Sequence, residues 1–276
     1  MNMINVEPRC RIILDNDWAG DPDGLIGLTH HALSPANRII AITSSLTNPM
    51  FGCPEGMAQG GADLAEDLLR VLKLPELASV HAGPDSPFTG QRRNTAAARA
   101  IIDAANAEGQ LPLLLVCAGP LTNIADALLL EPDIATCFTL VWVGGSAANE
   151  GEYNFDTDPA AAQFVLGNQQ LAVWQFPLET YRQVAISVAE LDYSLSTAGA
   201  GGAWLWQRFN SLKVPDFVHF GPLWCLGDSA PLVVTGLDDV TSRFDETRDS
   251  PSRRTYTDVD SRLVIADFFA RLRMQG

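Results

Sequence analysis

Long apolar runs, paired cysteines and basic segments are scarce in this sequence. No stretch approaches the roughly 20 apolar residues that a membrane-spanning helix needs, so we expect no membrane segment. The five cysteines are odd in number, scattered and without a C-x-x-C pair, which argues against a disulfide framework or a zinc site and favours a reducing, cytoplasmic location. The opening residues MNMINVEPRCRII lack a basic region followed by an apolar run, so we expect no secretory signal.

Positive charge is also in short supply. The chain has 18 Lys and Arg against 33 Asp and Glu, a formal net charge of −15. Nucleic acids and anionic membranes repel such a chain, so neither is expected as a partner. A chain of 276 residues is long enough to bury a large core, and we expect one domain over residues 1–276.

Short apolar runs alternate with stretches of helical periodicity along most of the chain. The predicted strands are 12–14, 38–43, 79–82, 113–117, 139–143 and 171–176. The predicted helices are 24–33, 57–73, 96–105, 121–130 and 160–166. This alternation predicts an α/β fold with a mostly parallel open sheet and helices on both faces.

The alternation fails from about residue 188. The aromatic residues of this part, which favour a helical cap over the carboxyl edge of the sheet, are Trp204, Trp206, Phe209, Phe217 and Trp224. A strand over 240–244, an exposed polar loop over 245–252 and a helix over 261–272 are predicted to close the chain.

An acidic loop follows the first predicted strand. Its carboxylates, within nine residues of one another, are Asp15, Asp17, Asp21 and Asp23. They lie at the carboxyl end of a strand, where open parallel sheets place their ligands. Carboxylates so close repel one another unless a cation, a proton or exposure relieves them, and Ca²⁺ or Mg²⁺ is the simplest relief. The alternative is ordinary turn chemistry, with Asp23 capping the next helix.

Four separated segments resemble the nucleoside hydrolase family, in the family's order. They are ILDNDWAGDPDG at 13–24, VCAGPLTNIADAL at 116–128, VWVGGSAANEGEYNFDTDPAAAQFV at 141–165 and LGDSAPLVV at 226–234. Weaker matches are Asn48 in its SSLTN loop, HAGPDSP at 81–87 and PLETYRQ at 177–183. The resemblance implies a calcium-dependent hydrolase of N-ribosidic bonds, with Ca²⁺ at the carboxyl end of a parallel sheet.

The resemblance also implies roles for particular residues. Asp17 would ligate calcium and would be the base that takes a proton from the metal-activated water. The carbonyl of Ala118 and the carboxylate of Asp228 would be further calcium ligands. The residues implied to hydrogen-bond the sugar hydroxyls are Asn48, Glu152 and Asn154. Family members are commonly dimers or tetramers, so a homodimer or homotetramer is implied, and no nucleotide or redox cofactor is required.

The acidic loop departs from the family pattern. The family has two adjacent aspartates before the first helix, one for the sugar and the next for calcium, whereas this chain reads Asp21-Pro22-Asp23-Gly24. Aligned from the helix side, Asp23 takes the sugar role and Gly24 leaves the calcium position empty. Aligned from the strand side, Asp21 comes first and Pro22 second. Asp21 and Asp23 both remain candidate calcium ligands.

A second departure lies at Gly227, where many purine-cleaving members have a histidine that assists the departing base. The candidates for protonating the leaving group here are Tyr181, Arg182, Glu179 and a water molecule, unless the substrate leaves unaided. His219 lies eight residues upstream of Gly227 and is more typical of a structural side chain. Trp18 either shapes the sugar pocket or packs beside it.

Two other functions compete with this interpretation. LDNDW could be the Asp-x-Asp motif of a Mg²⁺-dependent, haloacid-dehalogenase-like phosphohydrolase, with Thr43 as its second-strand hydroxyl, but no lysine follows a later strand in the expected way. A sugar- or nucleoside-binding homologue without turnover is the other alternative, motivated by Gly24 and Gly227. Read singly, Glu152 and Asn154 are ordinary loop residues and Asp228 is a helix cap, and only their joint occurrence favours a hydrolase.

Overall fold

An eight-stranded sheet forms the centre of the computed structural model, which describes residues 5–53, 55–213, 220–247 and 251–276. The strand order is β3-β2-β1-β4-β5-β6-β10-β9. The strands are β1 Cys10–Asn16, β2 Asn37–Ser44, β3 Val80–Ala82, β4 Leu113–Cys117, β5 Thr139–Val143, β6 Ala172–Phe176, β9 Arg243–Thr247 and β10 Arg253–Asp258. Every pairing is parallel except that of β9 with β10 at one edge, so the predicted mostly parallel open sheet is confirmed.

Helices cover both faces of this sheet. They are α1 Asp23–Leu33, α2 Met57–Val71, α3 Ala96–Asn106, α4 Thr122–Leu130, α5 Tyr153–Thr157, α6 Pro159–Leu166, α7 Leu178–Tyr181, α8 Val188–Ser196, α9 Gly199–Ser211, α10 Leu232–Thr235 and α11 Ser261–Gln275. One core cluster joins α1, α2, α9 and α11 to one face, and a second joins α3, α4 and α6 to the other.

The central strands are apolar throughout because both of their faces are buried. In β1, Ile12 and Leu14 belong to the first cluster, whereas Ile13 between them belongs to the second. The side chains of a strand alternate between the faces of its sheet, so a short aliphatic run supplies both cores at once. The carboxyl ends of β1, β4 and β5 then lie side by side and bring their following loops together.

The end of the chain differs from the sequence prediction. Asp239–Thr241 forms a 3-10 turn, so the strand expected over 240–244 begins instead at Arg243 and runs into the expected polar loop. Strand β10 was not predicted, because RRTYTD offers the core only Tyr256, which is fully buried and stacks on Phe176 at 4.2 Å between ring centroids. Residues 248–250 of the expected loop lie outside the described part of the chain.

A small two-stranded sheet accompanies the helices of the last third. Its strands are β7 Ala185–Ser187 and β8 Leu223–Cys225, which pair in antiparallel fashion. The aromatic residues Trp204, Trp206 and Phe209 lie on α9, which packs against α2 and α11. Trp224 lies on β8, and Phe217 and His219 fall outside the described residues. None of the helices described is long and apolar enough to cross a membrane.

Candidate active site

A cavity of about 120 Å³ opens where the loops after β1, β4 and β5 meet the turn after β8. The predicted site residues that line it are Asp17, Asp21, Asp23, Ala118, Glu152, Asn154 and Asp228. Residues that also line it without having been predicted as ligands are Asn16, Val143, Tyr153, Tyr181 and Cys225. A larger cavity of about 1040 Å³, between α3 and the beginnings of β1 and β2, contains none of these residues and is a wide surface groove.

Asp15 turns away from this cavity. Its carboxylate accepts hydrogen bonds from the hydroxyl of Thr43 at 2.5 Å and from the side-chain amide of Asn123 at 2.7 Å. Burial raises its pKa to about 6, against the hydrogen bonds that lower it. The first carboxylate of the acidic loop therefore joins β1 to β2 and α4 and serves the fold. Trp18 is buried too, donates to the carbonyl of Thr43 at 2.9 Å and does not line the cavity.

Asp17 is contacted closely at one of its two carboxylate oxygens. Its Oδ2 accepts the Tyr153 hydroxyl at 2.8 Å, and a Cβ on Gly20 would lie only 2.8 Å from the same oxygen. The loop can therefore fold over Asp17 only because residue 20 has no side chain. Burial raises the pKa of Asp17 well above its usual range, the Tyr153 hydroxyl opposes this rise, and the charges of Asp228 and Asp21 add to it.

Asp21, Asp23 and Asp228 form a chain of acidic groups along the cavity. Asp21 Oδ1 accepts the backbone N–H of Asp23 at 3.2 Å, and Asp23 Oδ2 accepts that of Asp228 at 3.3 Å. Burial raises the pKa of Asp23 and of Asp228, and in both cases the charge of Asp21 is the next largest cause. Both candidates for the ligand missing at Gly24 therefore lie at the cavity.

Glu152 and Asn154 are fixed by the backbone around them. Glu152 caps α5, accepts the N–H of Gly145 at 2.6 Å and that of Phe155 at 3.0 Å, and also receives the Tyr181 hydroxyl at 3.0 Å. The Asn154 side-chain amide donates to the carbonyls of Ala118 at 3.1 Å and Val143 at 2.8 Å. Its Oδ1 atom is buried and has no hydrogen-bond partner among the residues described.

Asn48 is the predicted site residue that does not line the cavity. Its Oδ1 accepts the N–H of Met50 at 3.0 Å, and its Nδ2 donates to the hydroxyl of Thr157 at 2.8 Å. Its backbone N–H donates to the Tyr153 hydroxyl at 3.3 Å. Asn48 is therefore connected to Asp17 through one tyrosine. Tyr153 lies between the predicted site residues Glu152 and Asn154, and Asn16 lies between Asp15 and Asp17. These positions could have identified both residues from the sequence.

The donors around the cavity suit a hard cation. They are mainly oxygens, and a cation would stabilise the ionised forms of Asp17, Asp23 and Asp228, which burial disfavours. The unpartnered Oδ1 of Asn154 is a further oxygen of the kind calcium takes. Within the described ranges, however, no three acidic, histidine or cysteine side chains are already gathered around one point. The donor set fits the ion chemically without forming a closed shell.

The inosine-uridine preferring nucleoside hydrolase family has a sequence model that matches residues 12–235, which is most of the chain. The chain belongs to this family. It is accordingly a nucleosidase, which hydrolyses the N-glycosidic bonds of nucleosides, and membership implies a metal-dependent enzyme in general. The resemblance seen in the sequence is confirmed, and membership of this family takes the place of the alternative interpretation as a phosphohydrolase. A search of curated proteins by sequence gave no match.

Solved structures agree with the fold of this nucleoside hydrolase. It is similar to an inosine-guanosine nucleoside hydrolase, with a TM-score of 0.74, 16% identity and coverage of 96% of this chain and 98% of that one. A purine-preferring ribonucleoside hydrolase from Gardnerella vaginalis gives a TM-score of 0.70 at 21% identity, over 96% and 98% of the two chains. An inosine-uridine preferring nucleoside hydrolase from Bacillus anthracis gives 0.70 at 15% identity, over 96% and 99%.

Proposed function

We propose that this nucleoside hydrolase cleaves N-ribosidic bonds in a calcium-dependent reaction, with Asp17 as the general base. The observation that supports the proposal most directly is the meeting of Asp17, Asp23 and Asp228 at one buried cavity, although Asp228 lies far from the other two in sequence. The similar enzymes are named for inosine, guanosine, uridine or purines generally, so the nucleobase is left to a substrate panel.

The chemistry of the bond explains why carboxylates line the cavity. As the bond between C1′ and the base nitrogen breaks, its electron pair leaves with the base and positive charge develops on the sugar ring. The negative side chains of Asp21, Asp23 and Asp228 stabilise that charge in a buried place where electrostatic effects are strong. A water oxygen then bonds to C1′ and gives a proton to Asp17, the departing nucleobase takes a proton from Tyr181 or a water molecule, and Asp17 returns its proton to solvent.

Asp17 has the properties that a general base needs. Burial raises the pKa of Asp17, and a carboxylate with a raised pKa takes up a proton more readily. The Tyr153 hydroxyl donates to Oδ2 of Asp17 at 2.8 Å, so the proton from water would go to the other oxygen, Oδ1. General-base help of this kind contributes about 10²–10⁴ in rate.

The residues that would hold calcium are Asp17, Asp23, Asp228 and the Ala118 carbonyl, with Asp21 as a further candidate. When bound, the ion supplies charge neutralisation and a lower pKa for a coordinated water. Glu152, Asn154 and Asp23 line the cavity and, in this proposal, hydrogen-bond the sugar hydroxyls. Asn48 reaches it only if its bonds to Thr157 and Met50 are exchanged for a sugar hydroxyl.

The test is a panel of nucleosides assayed for reducing sugar, with and without a calcium chelator. We expect the wild-type chain to release sugar, the chelator to stop it, and added Ca²⁺ to restore it. Asp17→Ala and Asp228→Ala should abolish turnover while near-ultraviolet circular dichroism stays that of the folded chain. Asp156→Asn, at an exposed aspartate on the neighbouring helix α5, is the control and should keep full activity.

Three results would contradict parts of this proposal. Turnover that survives Asp17→Ala would mean that another group is the base. Turnover that is unchanged by the chelator would show that the reaction does not depend on calcium. Calorimetric binding of nucleosides without release of free base would favour the non-catalytic binding homologue.

A further inference from the structure

The side chain of Asn16 occupies the space beside Gly24. A Cβ atom on Gly24 would lie 2.6 Å from Asn16 Nδ2 and 3.3 Å from Asp228 Oδ2. The first distance is shorter than any normal carbon contact, so a side chain at 24 would have to displace the Asn16 amide. In the alignment from the helix side, Gly24 is the position of the family's calcium-binding aspartate, and in this chain the space beside it is filled by an amide that comes from strand β1.

Asn16 is fixed at both ends of its amide. Only 2% of the residue is exposed, its Oδ1 accepts the backbone N–H of Asp17 at 2.8 Å, and its Nδ2 donates to Asp228 Oδ2 at 2.8 Å. These two bonds define the orientation of the amide, because only the nitrogen can donate to a carboxylate. Asn16 thus connects the backbone of the proposed base with a carboxylate 212 residues further along the chain.

Helix α1 leaves room for this connection. A Cβ on Gly27, one turn after Gly24, would lie 2.9 Å from the backbone oxygen of Asp228. Two glycines on one side of the helix therefore let the turn Gly227–Ser229 approach closely. The location of Asp228 follows from that contact, whereas the direction of its carboxylate depends on the bond from Asn16.

We propose that Asn16 is a positioning residue, which holds the Asp228 carboxylate toward the cavity and takes the place that a carboxylate at 24 would occupy. The inference rests on the calcium dependence proposed above. Its consequence is a cation site that relies on a hydrogen bond from Asn16 to orient one of its ligands, the Asp228 carboxylate. Asn16 and Gly24 should then act as one unit in calcium binding.

A double-mutant cycle tests this unit. Ca²⁺ binding to the chelator-treated full chain is measured by calorimetry for wild type, Asn16→Ala, Gly24→Ala and the double variant. Asn16→Ala removes the hydrogen bond to Asp228, and Gly24→Ala displaces the Asn16 amide that makes it. Because this hydrogen bond is made to a charged group, each variant should bind Ca²⁺ about tenfold or more weakly than wild type. The double variant should bind about as well as the weaker single variant, because both changes break the same contact.

Gly60→Ala is the matched control for the glycine change. Gly60 lies in helix α2, and a Cβ there would meet nothing within 4 Å. It should leave calcium affinity unchanged. Asn16→Asp is the second test variant, since it keeps the shape of the side chain but sets a carboxylate against Asp228. We expect its metal-free form to melt at a lower temperature than wild type, and added Ca²⁺ to raise its melting temperature by more than it raises that of wild type.

The outcomes separate the two proposals. A wild-type chain that binds no calcium would overturn the calcium part of the proposed function, and the present inference with it. A wild-type chain that binds calcium while Asn16→Ala binds equally well would overturn only the role of Asn16. The same conclusion follows if the losses from Asn16→Ala and Gly24→Ala multiply in the double variant, because independent effects would show that the two residues do not act through one contact.

Discussion

Tyr181 fills the space beside Gly227, the residue that stands where many purine-cleaving family members carry a histidine. A Cβ on Gly227 would lie 2.7 Å from the Tyr181 ring. Hydrogen bonds from Ser146 and from backbone amides lower the pKa of Glu179 to about 2, so it has no proton to give at neutral pH. Arg182 is exposed and does not line the cavity. Of the side chains considered for leaving-group assistance, Tyr181 is the one that lines the cavity, and its hydroxyl must turn from Glu152 to the nucleobase to protonate it.

Replacing Tyr181 with phenylalanine should therefore affect substrates according to their leaving group. We expect Tyr181→Phe to lower kcat/KM for a nucleoside by about 10²-fold or more, as loss of general-acid help does. Cleavage of p-nitrophenyl riboside, whose phenolate leaves without a proton, should change by less than about threefold on the same grounds. Tyr193→Phe, at a tyrosine that is 71% exposed, is the control. Equal losses on both substrates would show that Tyr181 acts on the sugar or the fold.

The hydroxyl of Tyr153 supports a different prediction, because it touches Asp17 and the Asn48 loop at once. Tyr153→Phe removes both bonds while keeping the ring against Phe51. We expect kcat to fall by roughly tenfold, the effect of losing one hydrogen bond to a charged group. The corresponding change in the free energy of unfolding should be much smaller than the change in the activation free energy. Steady-state kinetics and urea unfolding measure the two effects. Unchanged kcat would mean that the hydroxyl does not orient the base.

Short helix α5 brings several site residues together, and Glu152 anchors it. Its carboxylate accepts the backbone N–H groups of Gly145, Asn154 and Phe155, which no single amide oxygen could do as well. In Glu152→Gln the new NH₂ group faces N–H donors and leaves at least one unpaired, so unfolding should cost about 1–3 kcal/mol less. Urea unfolding of the metal-free chain checks this. The exposed neighbour Glu150→Gln is the control, and equal stability of the two variants would contradict the capping role.

The elements that could be predicted from sequence are those whose pattern is set by burial. The strands β1, β2, β4, β5 and β6 are apolar because helices cover both sides of them, and each was predicted. Strand β10 was not, since a mixed polar sequence joins the sheet through one buried tyrosine. Helix α5 has five residues, too few to show a helical period, and is held by its cap. Sequence patterns report repeated burial and miss elements that single contacts fix.

The candidate site shows the same division. Segments on both sides of the chain centre matched the family in order, so the meeting of Asp17, Ala118 and Asp228 at one cavity could be expected. The absence of Asn48 from the cavity lining could not be predicted, because its side chain bonds to Thr157 and Met50 instead. The spacing of residues in a sequence does not show which of several partners a side chain will bond. The assignment of Asp15 to the core likewise required knowledge of its partners, which lie on β2 and α4.

Buried carboxylates give the whole molecule an unusual dependence on pH when metal is removed. The pKa values of Asp17, Asp23 and Asp228 are raised in the folded chain by burial. Below the unfolded pKa near 4, these carboxyl groups are protonated in both the folded and the unfolded chain, so they do not affect the free energy of unfolding. As the pH rises further, the unfolded chain ionises first, and the free energy of unfolding falls until the pH passes the folded pKa. Calcium needs the ionised forms, so it competes with protons for these groups.

We therefore expect calcium to stabilise the chain much more at pH 8 than at pH 5. With free Ca²⁺ at about 100 times its dissociation constant at pH 8, the gain is about 2.7 kcal/mol, or roughly 5–10 °C in melting temperature. At pH 5 the same calcium concentration should give only a small rise. Burial also lowers the pKa of His31 to about 3, which destabilises the fold in acid, but this affects both calcium states and cancels in the difference. Equal rises at the two pH values would contradict a carboxylate site.

The cavity itself is small for the molecule it serves. At about 120 Å³ it falls well below the roughly 300 Å³ at which pockets for small molecules begin. A sugar ring is nearer to this volume than a sugar with its base attached, so the sugar would lie among the carboxylates and the base toward the mouth of the cavity. Selectivity among sugars and selectivity among nucleobases would then depend on different residues, the first on those lining this cavity and the second on those around its mouth.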